Sequence, residues 1–151
     1  MLYEVDKGII WEDDNSQIIF NPVGIDLFNN YLREINKQVY EDYRDYMVGI
    51  REKKLIGDIQ LIQIGDRKFI MNAFVYRKGK KIDLYALAKT MVELYILATE
   101  YGLNIALPVS MGSRNTELIS NIRKMIDVVF GDFGYDVYLY KKLPYYTLKN
   151  K

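Results

Sequence analysis

The sequence contains no cysteine and no histidine. Without cysteine, the chain can form no disulfide, no zinc–thiolate site and no thiol nucleophile. Without histidine, it lacks the most frequent general base at neutral pH, the Ser–His triad and every imidazole metal site. A metal ion would need oxygen ligands, and any proton transfer would depend on Asp, Glu, Lys or Tyr. We therefore expect no metal ion and no cofactor.

Excess charge and long apolar runs are also missing. There are 21 Lys and Arg residues against 20 Asp and Glu residues, so the formal net charge is only +1. Such a balance disfavours a nucleic-acid partner. No uncharged apolar run approaches the roughly 18 residues that cross a membrane. Residues 1–7 show no signal-peptide pattern. We expect a cytoplasmic protein with no nucleic-acid partner and no membrane partner.

The residues that are present suit one ordinary folded domain. Half of the 151 residues are hydrophobic, which is enough for a full core. Strand and helix patterns alternate, and this alternation predicts an α/β fold with a mixed sheet of roughly six strands and helices on both faces. We expect a single domain over residues 1–141 and a short tail over 142–151. The patterns predict strands at 2–6, 17–20, 56–64, 68–76, 103–109 and 135–140, and helices at 27–35, 39–47, 84–101 and 116–130.

Several local features have two interpretations. Residues 9–11 resemble a further short strand, and the carboxylates of residues 12–16 favour a solvated hairpin tip over a cation site. Pro22 is expected to end its strand because it has no N–H to donate. Asn72 lies within an apolar strand, where hydrogen bonding inside the fold is favoured over ligand contact. The tyrosines between 40 and 46 favour helix packing over a platform for bases.

Two apolar strands run into turns that open helices, at residues 17–26 and 104–115. A helix N-terminus offers free N–H groups, so such junctions are frequent ligand sites in α/β proteins. The sequence predicts that both junctions face one crevice. We assign no catalytic residue and expect ligand contacts from Asn21, Gly24, Asp26, Ser110, Met111, Gly112, Ser113, Arg114 and Asn115.

Several short motifs follow one another along the chain, namely Lys7-Gly8, Asn21-Pro22-Val23, Gly57-Asp58-Ile59, Asn72-Ala73-Phe74, Leu107-Pro108-Val109 and the helical segment 126–130. Their order and spacing resemble those of macro domains over nearly the whole chain, and most closely the small phage and yeast type that acts on ADP-ribose 1″-phosphate. The resemblance implies a three-layer α/β/α fold that holds ADP-ribose between two loops. These loops correspond to residues 21–26 and, for the diphosphate, to residues 110–115. An aromatic residue on the adenine side corresponds to Tyr138 or Tyr140.

The chain departs from this family at positions that bind the ligand or catalyse its hydrolysis. Ile9 replaces the Asp that bonds the adenine amino group, and Gly24 replaces the second Asn, which contacts the distal ribose. A bulkier, acidic run at 25–30 replaces a Gly-rich run, and the phosphatase histidine is absent. Arg114, in the second loop, could clamp a phosphate bidentately. We therefore expect binding of an ADP-ribose-related, NAD-derived nucleotide without catalysis, as in a phage protein that sequesters an immune signal in the host cytoplasm.

Two alternatives remain at the level of the sequence. In the first, the fold has a degenerate site and binds a protein partner through exposed tyrosines at 40–46 and 143–146, because aromatic residues are enriched at interfaces. In the second, the protein hydrolyses ADP-ribose derivatives and depends on Asn21 or Asp26. The missing catalytic positions make an enzyme the less favoured interpretation.

Overall fold

A computed structural model describes residues 1–24, 41, 56–77 and 81–141. Residues 25–40, 42–55, 78–80 and 142–151 lie outside this description. The helices predicted at 27–35 and 39–47 therefore fall outside the described residues, apart from residue 41. The same holds for the tail at 142–151 and for the tyrosines proposed as a protein-binding surface.

The described residues form six strands and two α-helices. The sheet order is β1-β6-β5-β2-β4-β3, and every neighbouring pair is parallel except the antiparallel pair β3 and β4. The predicted α/β fold with a mixed, six-stranded sheet is confirmed. The elements are β1 (Leu2–Val5), β2 (Ile18–Gly24), β3 (Ile59–Gly65), β4 (Lys68–Tyr76), α1 (Leu84–Tyr101), β5 (Ile105–Pro108), α2 (Thr116–Phe130) and β6 (Val137–Tyr140).

The two faces of the sheet have separate cores. Helices α1 and α2 contribute Leu87, Met91 and Ile126 to a large buried cluster with Phe20 and Met71 of the sheet. A smaller cluster lies on the opposite face. Its buried members are Ile10, Ile19, Val23, Ile62, Ile70, Phe74, Ala106 and Tyr140.

The predicted strand at residues 9–11 is wrong. Ile10–Glu12 forms a 3-10 helix, in which the N–H of Glu12 donates to the Ile9 carbonyl at 2.9 Å and that of Asp13 to the Ile10 carbonyl at 3.1 Å. The segment runs from β1, at one end of the sheet order, to β2, and packs on a face of the sheet instead of pairing with a strand. Ile10 is fully buried in the smaller cluster, and this burial fixes the turn.

The carboxylate-rich turn at 12–16 is solvated only in part. Asp13 and Ser16 are 5% and 2% exposed, although Glu12, Asp14 and Asn15 remain exposed. We call residues 9–16 the crossing segment. Among the described residues, no group of three acidic side chains lies close enough together to hold a metal ion.

Strand β2 continues through Pro22 to Gly24, so the prediction that it ends at Pro22 is also wrong. The Ile18 N–H points toward the β5 side, where it donates to the Asn104 carbonyl at 3.1 Å. Backbone groups alternate along a strand, so Pro22 points the same way. Strand β5 pairs with β2 only at Ile18 and Ile19. Pro22 therefore faces a side where no ladder bond is required.

The two helices begin and end where the sequence predicts. The Asp83 side chain caps α1 by accepting from the Ala86 N–H at 2.8 Å, and Gly102 ends the helix at φ 67°. Asn115 caps α2 by accepting from the Leu118 N–H at 3.0 Å. These are the ordinary signals of a helix start and end. Among the described residues, no helix is both long and apolar enough to cross a membrane.

Candidate ligand site at the carboxyl edge of the sheet

Both sequence-predicted junctions lie at one edge of the sheet. Strands β1, β6, β5, β2 and β4 are parallel along the sheet order, so their carboxyl ends meet at the same edge. Strand β2 ends there at Gly24, and its neighbour β5 ends at Pro108, just before residues 110–115. Ligands of open α/β sheets bind at this edge. Asp26, the third predicted residue of the first junction, lies outside the described residues.

Residues 110–115 form a compact turn that is held by hydrogen bonds between its own polar groups. We call it the 110–115 loop. The Ser113 N–H donates to the Ser110 carbonyl at 2.9 Å, and the Asn115 N–H donates to the Ser113 hydroxyl at 3.0 Å. Met111 and Gly112 have φ values of 48° and 81°. The left-handed region is costly for a side chain such as that of Met111, and such strain concentrates at functional sites.

The 110–115 loop leads directly into α2 and presents donors at its N-terminus. Within the described part of the chain, the N–H groups of Thr116 and Glu117 have no acceptor, as is usual for the first residues of a helix. The partial positive charge of this terminus favours an anion. Arg114 adds an exposed cation, whereas the Glu117 carboxylate in the first turn opposes it.

Asn21 belongs to a row of amide side chains that crosses three strands. Its Nδ2 donates to Asn72 Oδ1 at 2.8 Å, and Asn72 Nδ2 donates to Gln60 Oε1 at 3.1 Å. The strand register aligns Asn21 with Asn72 and Asn72 with Gln60. Asn21 and Asn72 are 2% and 0% exposed. The prediction that Asn72 is hydrogen-bonded within the fold is confirmed.

The two tyrosines predicted for the adenine side both lie on β6, between β1 and β5 in the sheet. Tyr140 is buried, and its hydroxyl donates to the Asp13 carboxylate. Burial, together with the hydrogen bond and charge of Asp13, raises the pKa of Tyr140. The half-buried Tyr138 ring stacks on Tyr3, with centroids 5.2 Å apart and planes at 17°. Gly8, at φ 114°, turns the chain beside the Tyr140 ring, which would lie 3.8 Å from an added Cβ.

Comparisons with known proteins identify the fold. No protein-family model matches the sequence, and no curated protein matches it. Solved structures do match. The macrodomain of Thermus aquaticus DarG is 18% identical, with a TM-score of 0.75 over 94% of this chain and 99% of that chain. A macrodomain protein from Streptomyces coelicolor is 13% identical, with a TM-score of 0.76 over 94% and 99% of the two chains. This chain has the macrodomain fold.

A further match in fold is Thermosipho africanus DarTG, which was solved in complex with ADP-ribose. It is 12% identical, with a TM-score of 0.70 over 97% of this chain and 44% of that chain. The macrodomain fold that the sequence motifs imply is therefore present. At these identities the likeness is one of fold, and it does not extend to the phosphatase type or to the state of particular site residues.

One residue of this macrodomain fold was missed by the sequence reasoning. Tyr76, the last residue of β4, pairs with Gly24 at the end of β2, and its hydroxyl donates to the Met111 carbonyl in the 110–115 loop. Tyr76 thus links the ends of both predicted junctions. No motif at residues 72–76 signals this role, because it depends on an irregularity in strand pairing. Gln60 was missed for a similar reason, since its partner Asn72 lies on the next strand.

Proposed function

We propose that this protein binds an ADP-ribose-related nucleotide at the carboxyl edge of its sheet, between residues 21–26 and the 110–115 loop. One observation carries the proposal. The chain shares its fold with a protein solved in complex with ADP-ribose, and at the edge where such folds bind ligands its 110–115 loop leads into the N–H groups at the start of α2.

The chemistry of the 110–115 loop supports a diphosphate as the group held there. Phosphate oxygens accept from backbone N–H groups at a helix N-terminus, and the start of α2 supplies such groups at Thr116 and Glu117. Arg114 can add a charge-assisted hydrogen bond. In this proposal Gly24 allows close approach of the distal ribose, and Tyr138 or Tyr140 lies on the adenine side.

We further propose that the nucleotide is held without being cleaved. The chain has no histidine and no cysteine, and Gly24 replaces the asparagine of the family that contacts the distal ribose. Among the described residues, no cluster of three or more acidic side chains is close enough together to hold a metal ion. A binding protein of this kind, in the cytoplasm of a phage-infected host, would act by sequestering an NAD-derived immune signal.

A thermal-shift panel tests the binding proposal. It should include ADP-ribose, cyclic ADP-ribose isomers, NAD and AMP. A ligand at 100 times its dissociation constant stabilises the native state by about 2.7 kcal/mol. For a domain near 150 residues this corresponds to a Tm increase of roughly 5–10 °C. We expect such a shift with at least one ADP-ribose-related ligand and a smaller one with AMP. No shift with any member would exclude the proposed function.

A product assay tests the absence of catalysis. The protein is incubated with ADP-ribose 1″-phosphate and with the ligand that gives the largest thermal shift, and the mixture is separated by anion-exchange chromatography. We expect the starting nucleotide to be recovered unchanged. Turnover that is lost in Asn21→Ala or Asp26→Ala would instead establish the hydrolase alternative.

A further inference from the structure

We propose that Tyr76 is a positioning residue that holds the 110–115 loop in its anion-binding conformation. This inference rests on the proposed function only for its ligand; the conformational part stands on the structure. Three features support it: a bulge in strand pairing, the hydrogen bond to Met111 and the geometry of the peptide that follows Met111.

A bulge at the end of β4 directs Tyr76 toward the helix side of the sheet. In register with β2, Val23 pairs with Phe74 but Gly24 pairs with Tyr76, so Val75 is the extra residue. Phe74 belongs to the smaller cluster, whereas Val75 and Tyr76 both pack in the larger one. Regular alternation would return Tyr76 to the face of Phe74. Bulges commonly redirect a side chain in this way beside functional sites.

The redirected side chain must reach past a neighbouring strand. In the sheet order, β2 lies between β4 and β5, and strands are about 4.8 Å apart, so β4 and β5 are separated by roughly 10 Å. Tyr76 therefore passes the end of β2 to contact Met111. The residue at that end is Gly24, which has no side chain to obstruct the path. The absence of a side chain at Gly24 thus allows Tyr76 to contact Met111.

The hydrogen bond fixes the direction of one peptide plane. Every described peptide is trans, so the carbonyl of Met111 and the N–H of Gly112 point in opposite directions. Because Tyr76 holds the carbonyl, the Gly112 N–H points away from Tyr76. Its only partner among the described residues is the Ser110 hydroxyl, at a long 3.4 Å. A phosphate oxygen can replace so weak an acceptor.

The same bond offsets the backbone strain at Met111. Met111 is 1% exposed and has a φ of 48°, a conformation that costs free energy for any residue with a side chain. Without the Tyr76 hydroxyl, rotation of the peptide between Met111 and Gly112 would relieve this strain and withdraw the Gly112 N–H. The hydroxyl thus selects the loop conformation that an anion requires.

The sequence offers a direct probe of this peptide. Met111-Gly112 is the only Met-Gly pair in the chain, so labelling methionine carbonyls with ¹³C and glycine nitrogens with ¹⁵N gives a single HNCO peak. The variant is Tyr76→Phe, which removes only the hydroxyl. The matched control is Tyr95→Phe, which removes an exposed hydroxyl that donates at 3.2 Å to Asp132, just after the end of α2.

In the free protein, we expect Tyr76→Phe to move the Met111 carbonyl shift to lower frequency and to split or broaden the peak, and Tyr95→Phe to leave it unchanged. With ligand, we expect Tyr76→Phe to weaken ADP-ribose binding about fivefold, the effect of one net hydrogen bond. Binding of adenosine, which has no phosphate, should not change.

An unchanged peak in Tyr76→Phe would overturn the inference, and so would an equal change in Tyr95→Phe. Equal weakening of ADP-ribose and adenosine would assign Tyr76 a purely structural role. If the wild-type protein binds no ADP-ribose, the proposed function fails, whereas the labelled peak still decides whether Tyr76 holds the loop.

Discussion

The buried carboxylate of Asp13 accepts a hydrogen bond from the hydroxyl of Tyr140, which lies 127 residues further along the chain. The same carboxylate accepts from the N–H groups of Asn15 and Ser16 at 2.9 and 2.7 Å. Lys68 completes the cluster, because its Nζ donates to the Asp13 and Ser16 carbonyls at 2.6 and 2.5 Å. These contacts fix the crossing segment to β4 and β6.

Removal of the Tyr140 hydroxyl should lower the stability of the fold. Tyr140→Phe takes one donor from a buried carboxylate, and hydrogen bonds to charged groups contribute about 1.5–3 kcal/mol. We expect the free energy of unfolding in urea to fall by about 2 kcal/mol. The control Tyr95→Phe removes an exposed hydroxyl bond and should cost less than about 0.5 kcal/mol. Equal losses in the two variants would contradict the importance of the buried contact.

The same tyrosine predicts a pH dependence. Burial, followed by the hydrogen bond and charge of Asp13, raises the pKa of Tyr140, so the folded state retains this proton when the unfolded state loses it. The contribution of Tyr140 to the free energy of unfolding is therefore fully present below the ordinary tyrosine pKa of about 10, and it falls as the pH rises above that value. Urea unfolding at about pH 9, 10 and 11 should show a steeper decline in the wild type than in Tyr140→Phe. Parallel declines would exclude this contribution.

Asn72 should be the most sensitive residue of the amide row. It is fully buried and bonds both Asn21 and Gln60, so Asn72→Ala removes two hydrogen bonds and leaves the Asn21 amide unpaired. We expect a loss of about 2–4 kcal/mol in urea unfolding. The control Gln63→Ala, on the exposed side of the same hairpin, should cost less than about 0.5 kcal/mol. A loss below about 1 kcal/mol in Asn72→Ala would contradict a structural role for the row.

Asp83 both caps α1 and forms an ion pair with Arg77, and substitutions can distinguish the two contributions. Its side chain accepts from the Ala86 N–H, and Arg77 Nε lies 2.6 Å from its other oxygen. Asp83→Ala should destabilise the protein by about 1 kcal/mol because α1 loses its cap. Asp83→Asn keeps a capping oxygen and should recover most of this loss. If Asn recovers nothing, the charge and not the cap provides the stabilisation.

The pKa of Asp83 gives a second check. The backbone hydrogen bond from Ala86, with smaller contributions from Arg77, lowers this pKa below its ordinary value. The stabilisation is therefore present above the ordinary aspartate pKa of about 3.9 and is lost as the pH falls through the lower folded value. The difference in stability between wild type and Asp83→Ala should shrink between about pH 5 and pH 2. A constant difference would contradict this linkage.

The sequence predicts best those elements whose ends depend on residues adjacent to them along the chain. Helix α1 begins after Asp83 and ends before Gly102 because a cap and a left-handed glycine act locally. Residues 9–11 and Pro22 were assigned wrongly because their structure depends on which strands lie beside them. An apolar triplet cannot reveal that it packs on a face of the sheet, nor can Pro22 reveal that β5 has already stopped pairing.

In the candidate site, too, features set by residues adjacent in sequence could be predicted, whereas features set by neighbouring strands could not. The 110–115 loop could be predicted because a strand, small residues and a helix cap follow one another along the chain. Tyr76 could not, because its direction depends on one unpaired residue, Val75, and its acceptor lies 35 residues away. The buried position of Asp13 was likewise hidden, since adjacent exposed carboxylates suggested a solvated turn. Asp26 stays a prediction.

The most direct test of the account is calorimetric titration of ADP-ribose into the wild-type protein, Arg114→Gln and Lys124→Gln. Arg114 lies in the 110–115 loop, whereas Lys124 is another exposed cation, on α2. We predict one nucleotide bound per chain, binding weakened by about tenfold or more in Arg114→Gln because a charge-assisted bond is lost, and no change in Lys124→Gln. No binding by the wild-type protein, or equal weakening in both variants, would contradict the proposed site.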